Sequence, residues 1–195
     1  MTSDTRSRLL REGQRLFAVD GIRGASVRDI TRAADANLGA ITYHFGTKEA
    51  LYDAVVESVF AQLAERVETA ARRPVSGPDR VRAVVGALFA FFRETPETPR
   101  LVLHQVLAGD GIPPVVRPYI RRNLAAIAQV VEEGRARGEF RPVDPTLVAF
   151  TIVSQSIWFA IVGREILGVP GLLPDLGDRV EGHVVDIVTR FLEEG

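Results

Sequence analysis

The stretch SVRDITRAADANLGAITYHFGTKEAL, residues 26–51, decides the fold. Ser26 opens a helical run and Asp29 stands three residues on, a variant of the capping box in which two orphan amides of a helix are satisfied at once. The helix is short because Asp35-Ala36-Asn37 breaks it: Asp35 tolerates a left-handed backbone, and Asn37 can cap the next helix, LGAITYHF, which ends near Gly46. Upstream, Leu9, Gly13, Leu16 and Phe17 recur at helical offsets, with Arg6, Arg8, Arg11 and Arg15 spread elsewhere. That spacing predicts an amphipathic helix over about residues 4–20, stopping at Gly21. Two short helices joined by a three-residue turn and preceded by a packing helix form the helix-turn-helix pattern, which offers its second helix to the DNA major groove.

The remainder is helical throughout. After Thr47-Lys48-Glu49, the residues Leu51, Val55, Val59, Leu63 and Val67 fall every fourth position and end before Pro74. Ser76-Gly77-Pro78 is a break, followed by a helix over about 79–94 with Val81, Val84, Val85, Leu88, Phe89 and Phe92 on one face. TPETP forbids helix, and further helices are expected at about 99–108, 114–138, 145–168 and 175–194. Asp144 can cap the eighth, with Pro145 at its first position. No alternating run argues for a strand, so the expected class is all-α with about nine helices.

Composition removes several functions. The chain of 195 residues is 46% hydrophobic and 25% charged, which suits a globular protein and neither a disordered nor a fibrous one. The absence of cysteine excludes disulfides, thiol nucleophiles and thiolate metal sites. There is no phosphate loop, no HExxH, no Gly-x-Ser-x-Gly and no cluster of histidines and carboxylates. His104 and His183 are isolated and read as structural histidines. No enzyme, metal or cofactor is therefore expected. The amino terminus MTSDTRSRLLREG has no apolar core of signal length, which points to the cytoplasm. The charge-free run from Pro145 to Gly163 approaches a bilayer span in length, yet Ser154, Gln155 and Ser156 occupy its middle and no second span accompanies it. It reads as a buried helix of a soluble protein that something must cover, with no membrane partner.

From Gly21 to Leu51 the string resembles the DNA-binding segment of the TetR/AcrR family of bacterial transcriptional regulators. The matching residues are Leu16-Phe17 before Gly21, Ser26-Val27, Ile30, Ala34, Gly39, Ile41-x-Tyr43-His44-Phe45 and Lys48-Glu49-x-Leu51. The chain departs from the family habit at Asp35, where glycine is common, at Thr31 for alanine, at Thr42 for the first tyrosine of a Tyr-x-His-Phe sequence, and at Leu38 for a polar or basic residue.

Candidate DNA contacts follow. Ser26, Asn37 and Lys48 mark helix starts, where free amides attract phosphate, and Arg28 stands near the start of the second helix. Gly39 and Ala40 are small enough to let the backbone approach the groove floor. Thr42, Tyr43 and His44 can donate to phosphates, Thr42 or Ala40 can touch a thymine methyl, and Ile41 and Phe45 anchor the helix inward. A helix-turn-helix shape also occurs without DNA binding, so a helical protein-interaction module that has lost its operator is the rival reading.

The resemblance implies a helix-turn-helix DNA-binding domain at 1–47 and a helical regulatory domain at 48–195, the latter binding a small molecule and dimerising through the helices near 145–168 and 175–194. It implies a repressor that holds a palindromic operator as a homodimer and is released by a small, largely apolar or aromatic ligand, with the fourth helix as lever. The helices that surround the ligand in the family carry Phe89, Phe92, Leu103, His104, Leu107, Tyr119, Asn123, Gln155, Trp158 and Phe159 here. Each aromatic taken singly reads more as core packing than as pocket lining. Gln155 reads either as a polar contact to the ligand or as a hydrogen bond across the dimer seam. The net charge of −1 argues against indiscriminate coating of nucleic acid. It is unevenly spread: residues 1–51 hold eight basic and six acidic side chains.

Overall fold

The computed structural model describes residues 2–163 and 179–193, and every regular element among them is helical. In chain order these are α1 (Thr2–Gly24), α2 (Val27–Ala33), α3 (Ala40–Phe45), α4 (Lys48–Ala71), α5 (Gly77–Glu94), α6 (Thr98–Leu107), a 3-10 turn (Pro114–Val116), α7 (Arg117–Ala136), α8 (Pro145–Trp158) and α9 (Val180–Glu193). A π-helical turn, Phe159–Gly163, continues α8. Among the described residues there are nine α-helices and no strand, in agreement with the expected all-α class. The expected extensions over 164–168 and 175–178 lie outside the described residues.

Local chemistry sets the boundaries. α1 leaves helical geometry at Gly21, whose φ of 67° is open to glycine at little cost. Ser26 caps α2 by accepting from the Asp29 amide at 3.1 Å. The Asp29 carboxylate accepts from the Ser26 hydroxyl and from Arg32, so it serves side chains rather than closing a reciprocal backbone box. Asp35 takes a φ of 47°, as its short polar side chain permits, while Arg8 holds the turn by donating to the carbonyls of Ala34 (2.8 Å) and Asp35 (3.3 Å). Ser76-Gly77-Pro78, expected as a break, is the start of α5: Ser76 caps it, accepting from the Asp79 amide at 3.3 Å, and Pro78 sits in its first turn. Asp144 caps α8 through the amides of Thr146 (2.8 Å) and Leu147 (3.1 Å).

The described chain divides into two compact units. The first runs up to Ala61 and takes in Glu97–Arg117; the second comprises Gln62–Pro96 and the chain from Pro118 onward. In the first, α1 packs against α2, α3 and α6. Its core is Leu9, Phe17, Ile30, Ile41, Leu51, Tyr52, Val55, Val56 and Leu101, each at most 2% exposed. Phe17 meets the Tyr52 ring edge-on at 5.3 Å, and the buried Tyr52 hydroxyl donates to the Leu101 carbonyl at 2.7 Å. Burial first, and then the Asp53 charge, push this phenol from 10.0 up to about 12. Thr31, the departure from alanine, is buried without loss because its hydroxyl donates to the Val27 carbonyl at 2.9 Å.

In the second unit α5 packs against α8 and α9. Val84, Val85, Leu88 and Phe91 of α5 are buried, as are Ala149 and Ile152 of α8 and Val184, Val185, Val188 and Leu192 of α9. Phe140 seats against Gly77 and Gly134 so closely that a Cβ on either glycine would overlap its ring. The run Pro145–Gly163 is one helix long and apolar enough to cross a membrane by length and composition, and it is 28% buried in this chain. Leu147, Phe150 and Trp158 on it are 60–65% exposed. The expectation of a helix covered on all sides is thus met on one face only within a single copy.

Candidate nucleic-acid interface

The two short helices and the turn between them present a mixed polar and apolar face. Ile41 is buried beneath α3 and Phe45 is half-buried, as expected of anchors, with the Arg6 guanidinium 5.1 Å from the centre of the Phe45 ring. Thr42 and Tyr43 point outward, and Tyr43 is 77% exposed. His44 is half-buried beside it, its ring edge-on to Tyr43 at 4.9 Å. Arg28 on α2 is exposed, as are Asn37, Leu38 and Gly39 at the turn.

Three expected residues stand differently from their predicted roles. Asn37 does not cap α3: the helix begins at Ala40 with Gly39 in the cap position, and the Asn37 carbonyl accepts from the Ala40 amide at 3.0 Å. The first turn of α3 thus opens at Ala40, next to the inward-facing Ile41. Ala40 itself turns inward, at 6% exposure, so its methyl is not available to a thymine. Lys48 is half-buried and donates to the Ala25 carbonyl at 3.1 Å, pinning the start of α4 to the residue before the α2 cap. Ser26 is engaged as the cap of α2, as its spacing from Asp29 predicts. Arg6 is a neighbour of this face that spacing could not reveal, because its contact spans the whole distance from residue 6 to residue 45.

Gly39 has an ordinary φ of −77°, and a Cβ there would come no closer than 3.6 Å to anything, the Asn37 Oδ1. Neither backbone strain nor crowding inside the fold requires a glycine at this position.

The expected ligand residues fall in separate places. His104 belongs to the first unit: its ring lies over Gly21, and its Nε2 is 3.0 Å from the Ala18 carbonyl. Leu103, half-buried, and Leu107, 77% exposed, are on the same helix. In the second unit Phe92 is buried edge-on to Phe91 at 5.9 Å, Phe89 is half-buried, and Tyr119 lies under the Arg122 guanidinium at 5.8 Å. Asn123 is 5% exposed with its Oδ1 lacking a partner. Gln155, Trp158 and Phe159 come together, but on an outward groove of about 390 Å³ shared with His183 and Ile187 of α9. The Gln155 Oε1 is buried there without a partner.

Against this geometry stand the known proteins. Residues 9–55 match the model of bacterial regulatory proteins of the tetR family, and residues 78–188 that of the tetracyclin repressor-like C-terminal domain. The HTH-type transcriptional repressor NicS of Pseudomonas putida is 24% identical over 184 residues, spanning 90% of this chain and 84% of NicS. A tetR-family regulator from Rhodococcus RHA1 superposes with a TM-score of 0.79 at 19% identity, over 96% of each chain. AibR, solved in complex with isovaleryl coenzyme A and operator DNA, gives 0.73 at 19% identity, over 97% of this chain and 98% of AibR. With both parts of the chain matched in order and the helix-turn-helix in place, the protein belongs to the TetR family of transcriptional regulators.

Proposed function

We propose that the protein is a cytoplasmic homodimeric repressor that holds a palindromic operator through α3 and is released when a small molecule binds its second unit. The observation that carries the operator reading is Gly39. It is exposed at the cap of α3, and a Cβ there would meet nothing within the fold closer than 3.6 Å, so the bare backbone leaves room for a surface outside the molecule. A groove floor approached by the backbone ahead of Tyr43 is such a surface. Thr42, Tyr43, His44 and Arg28 then serve phosphates and bases, while Ser26, Asn37 and Lys48 shape the turn and the helix starts that present them.

The homodimer reading rests on α8 and α9. Leu147, Phe150, Trp158, Ile187 and Phe191 are 45–65% exposed. Leu147, Phe150 and Trp158 recur at helical spacing on α8, and a second copy of the same helix pair would cover them in a four-helix bundle. Gln155, with its unpartnered Oε1 in the α8–α9 groove, fits a hydrogen bond across that seam better than a ligand contact. Trp158 and Phe159 go with it. Two-fold symmetry sets the recognition helices one or more turns of B-DNA apart, roughly 34 Å per turn. For the ligand, Phe89, Phe92, Tyr119 and Asn123 remain the candidates within the second unit, with Asn123 as polar reader and His104 assigned to the first unit. AibR, of similar fold, was solved with both a small molecule and its operator, which supports a ligand-responsive reading.

The test is fluorescence anisotropy of the purified full chain on DNA from upstream of its own gene, at several salt concentrations. Salt-dependent binding to that DNA, absent for a scrambled duplex, is expected. Gly39→Ala should lower the thermal midpoint only slightly, at a capping cost of about 1 kcal/mol or less, and weaken binding at least several-fold. Equal binding by wild type and Gly39→Ala would refute the assignment of that surface to DNA.

A further inference from the structure

Arg80 is the most anomalous side chain of the second unit. It lies in the first turn of α5, where the helix dipole disfavours a cation, and its side chain is 7% exposed. One bond is visible: Nη1 donates to Glu133 Oε2 at 2.6 Å. Its Nε and Nη2 are buried and have no partner. These two atoms form one edge of the guanidinium fork, the edge that takes both oxygens of a carboxylate or phosphate side by side. A buried cation with that edge unused is costly to fold around, and a protein interior leaves such groups unpaired only rarely.

Arg80 also lines a cleft of about 510 Å³ enclosed by α4, α5 and α7. Ala71 and Ala125 make the room, and two further arginines stand at it. Both are positioned by one carboxylate: Glu68 accepts from Arg122 Nε and from Arg72 Nη2, each at 2.8 Å, and these bonds hold its carboxyl below the usual range. Three arginines thus face two glutamates, and the surplus is positive. The volume lies in the range of small-molecule sites, roughly 300–1,000 Å³. None of the residues expected to hold a ligand lines this cleft.

We propose that the α4–α5–α7 cleft binds a small organic oxyanion, a carboxylate or a phosphate ester, with Arg80 as its receiver, its Nε/Nη2 edge, buried and unpartnered in the unliganded chain, turning toward the anion, and Arg72 and Arg122 completing the charge. Glu133, whose side chain is 40% exposed, is the group an incoming anion competes with for Arg80. The small side chains of Ala71 and Ala125 leave space for an apolar body behind the anionic head. The site is independent of operator binding, so its test uses no DNA.

Isothermal titration of the full chain with four probes decides the matter: benzoate, phenyl phosphate, inorganic phosphate and benzyl alcohol. Saturable binding of benzoate or phenyl phosphate is expected, and whichever is tighter identifies the head group. Benzyl alcohol, of similar size without charge, should not bind. Arg80→Met should fold with an unchanged or higher thermal midpoint, since it removes unpaired buried donors, and should weaken anion binding roughly 10- to 100-fold, the value of a charged hydrogen-bond pair. Glu133→Gln should tighten it, because the competing carboxylate is gone; a merely structural Arg80–Glu133 pair predicts no such gain. Any of three results overturns the proposal: no saturable binding of either organic anion, equal binding by wild type and Arg80→Met, or binding of benzyl alcohol as tight as benzoate. Binding of inorganic phosphate alone, unaffected by Arg80→Met, would mark an adventitious ion only and equally overturns it.

Discussion

Replacing Tyr52 by phenylalanine should reverse its effect on stability between neutral and alkaline pH. The hydroxyl donates to the Leu101 carbonyl at 2.7 Å in the core of the first unit, an interaction worth about 1 kcal/mol net. At pH 8 the wild type should therefore be the more stable by about that amount. The same burial moves the phenol from 10.0 to about 12, so the folded protein keeps its proton over a range in which the unfolded chain releases it. Between those values the unfolded state binds fewer protons, and stability falls as pH rises. The contribution is intact below about pH 10, and roughly 1.4 kcal/mol of it is spent by pH 11, at 1.36 kcal/mol per unit. Tyr52→Phe has no such loss. The two curves should meet near pH 11, with the variant the more stable above it. Urea unfolding followed by circular dichroism at 222 nm, at constant ionic strength from pH 8 to pH 11.5, measures the difference, and titrations common to both proteins cancel. A gap that stays constant across that range would show that Tyr52 ionises alike in both states and would refute the argument.

Other perturbations have equally definite outcomes. Tyr43→Ala and His44→Ala should each weaken operator binding by about tenfold or more without lowering the thermal midpoint, and anisotropy at three salt concentrations should show a shallower salt slope wherever a phosphate contact is lost. Phe150→Arg, at an exposed position of α8, should leave helical content intact while breaking the proposed dimer into monomers, as read by light scattering. Gly134→Ala, a change that in an open helix position stabilises by up to about 1 kcal/mol, should here destabilise by roughly 1–3 kcal/mol because the new Cβ overlaps the Phe140 ring. Thermal unfolding should place its midpoint several degrees below wild type.

What the sequence disclosed was local. Ser26, Asp35, Asp144 and Pro145 act within a few residues of themselves, and each takes the conformation its side chain favours. The start of α3 was misread because Asn37 and Gly39 are both plausible caps. Ala40 is small enough to suit a groove or a core, and only its packing beside the buried Ile41 places it in the core. The membership of α6 in the first unit left no local trace either. It rests on contacts such as Gln14 Nε2 to Glu97 Oε1 at 2.8 Å and His104 to Ala18, which join residues more than 80 positions apart. Arg80 was invisible for a different reason: periodicity reads arginine as surface, and its pairing depends on where Glu133, 53 residues away, falls.

The placement of α6 changes where a ligand signal must be sought. The chain passes between the two units at three points, after Ala61, after Pro96 and after Arg117. α4, the expected lever, carries the first of these. The other two flank α6, so α5 and α7 of the second unit are joined by short connections to a helix that belongs to the first. If the proposed ligand of the second unit displaces α5 or α7, α6 is pulled through these connections against the bonds that hold it in its own unit. These are unequal in value. The Arg23–Asp110 pair has both side chains 40–77% exposed and contributes little. The Tyr52–Leu101 bond is buried, and it is worth about 1 kcal/mol. Allosteric coupling free energies are typically about 1–3 kcal/mol. Under the proposed ligand response, loosening Tyr52–Leu101 and one or two of its neighbours would supply coupling of that size without unfolding either unit.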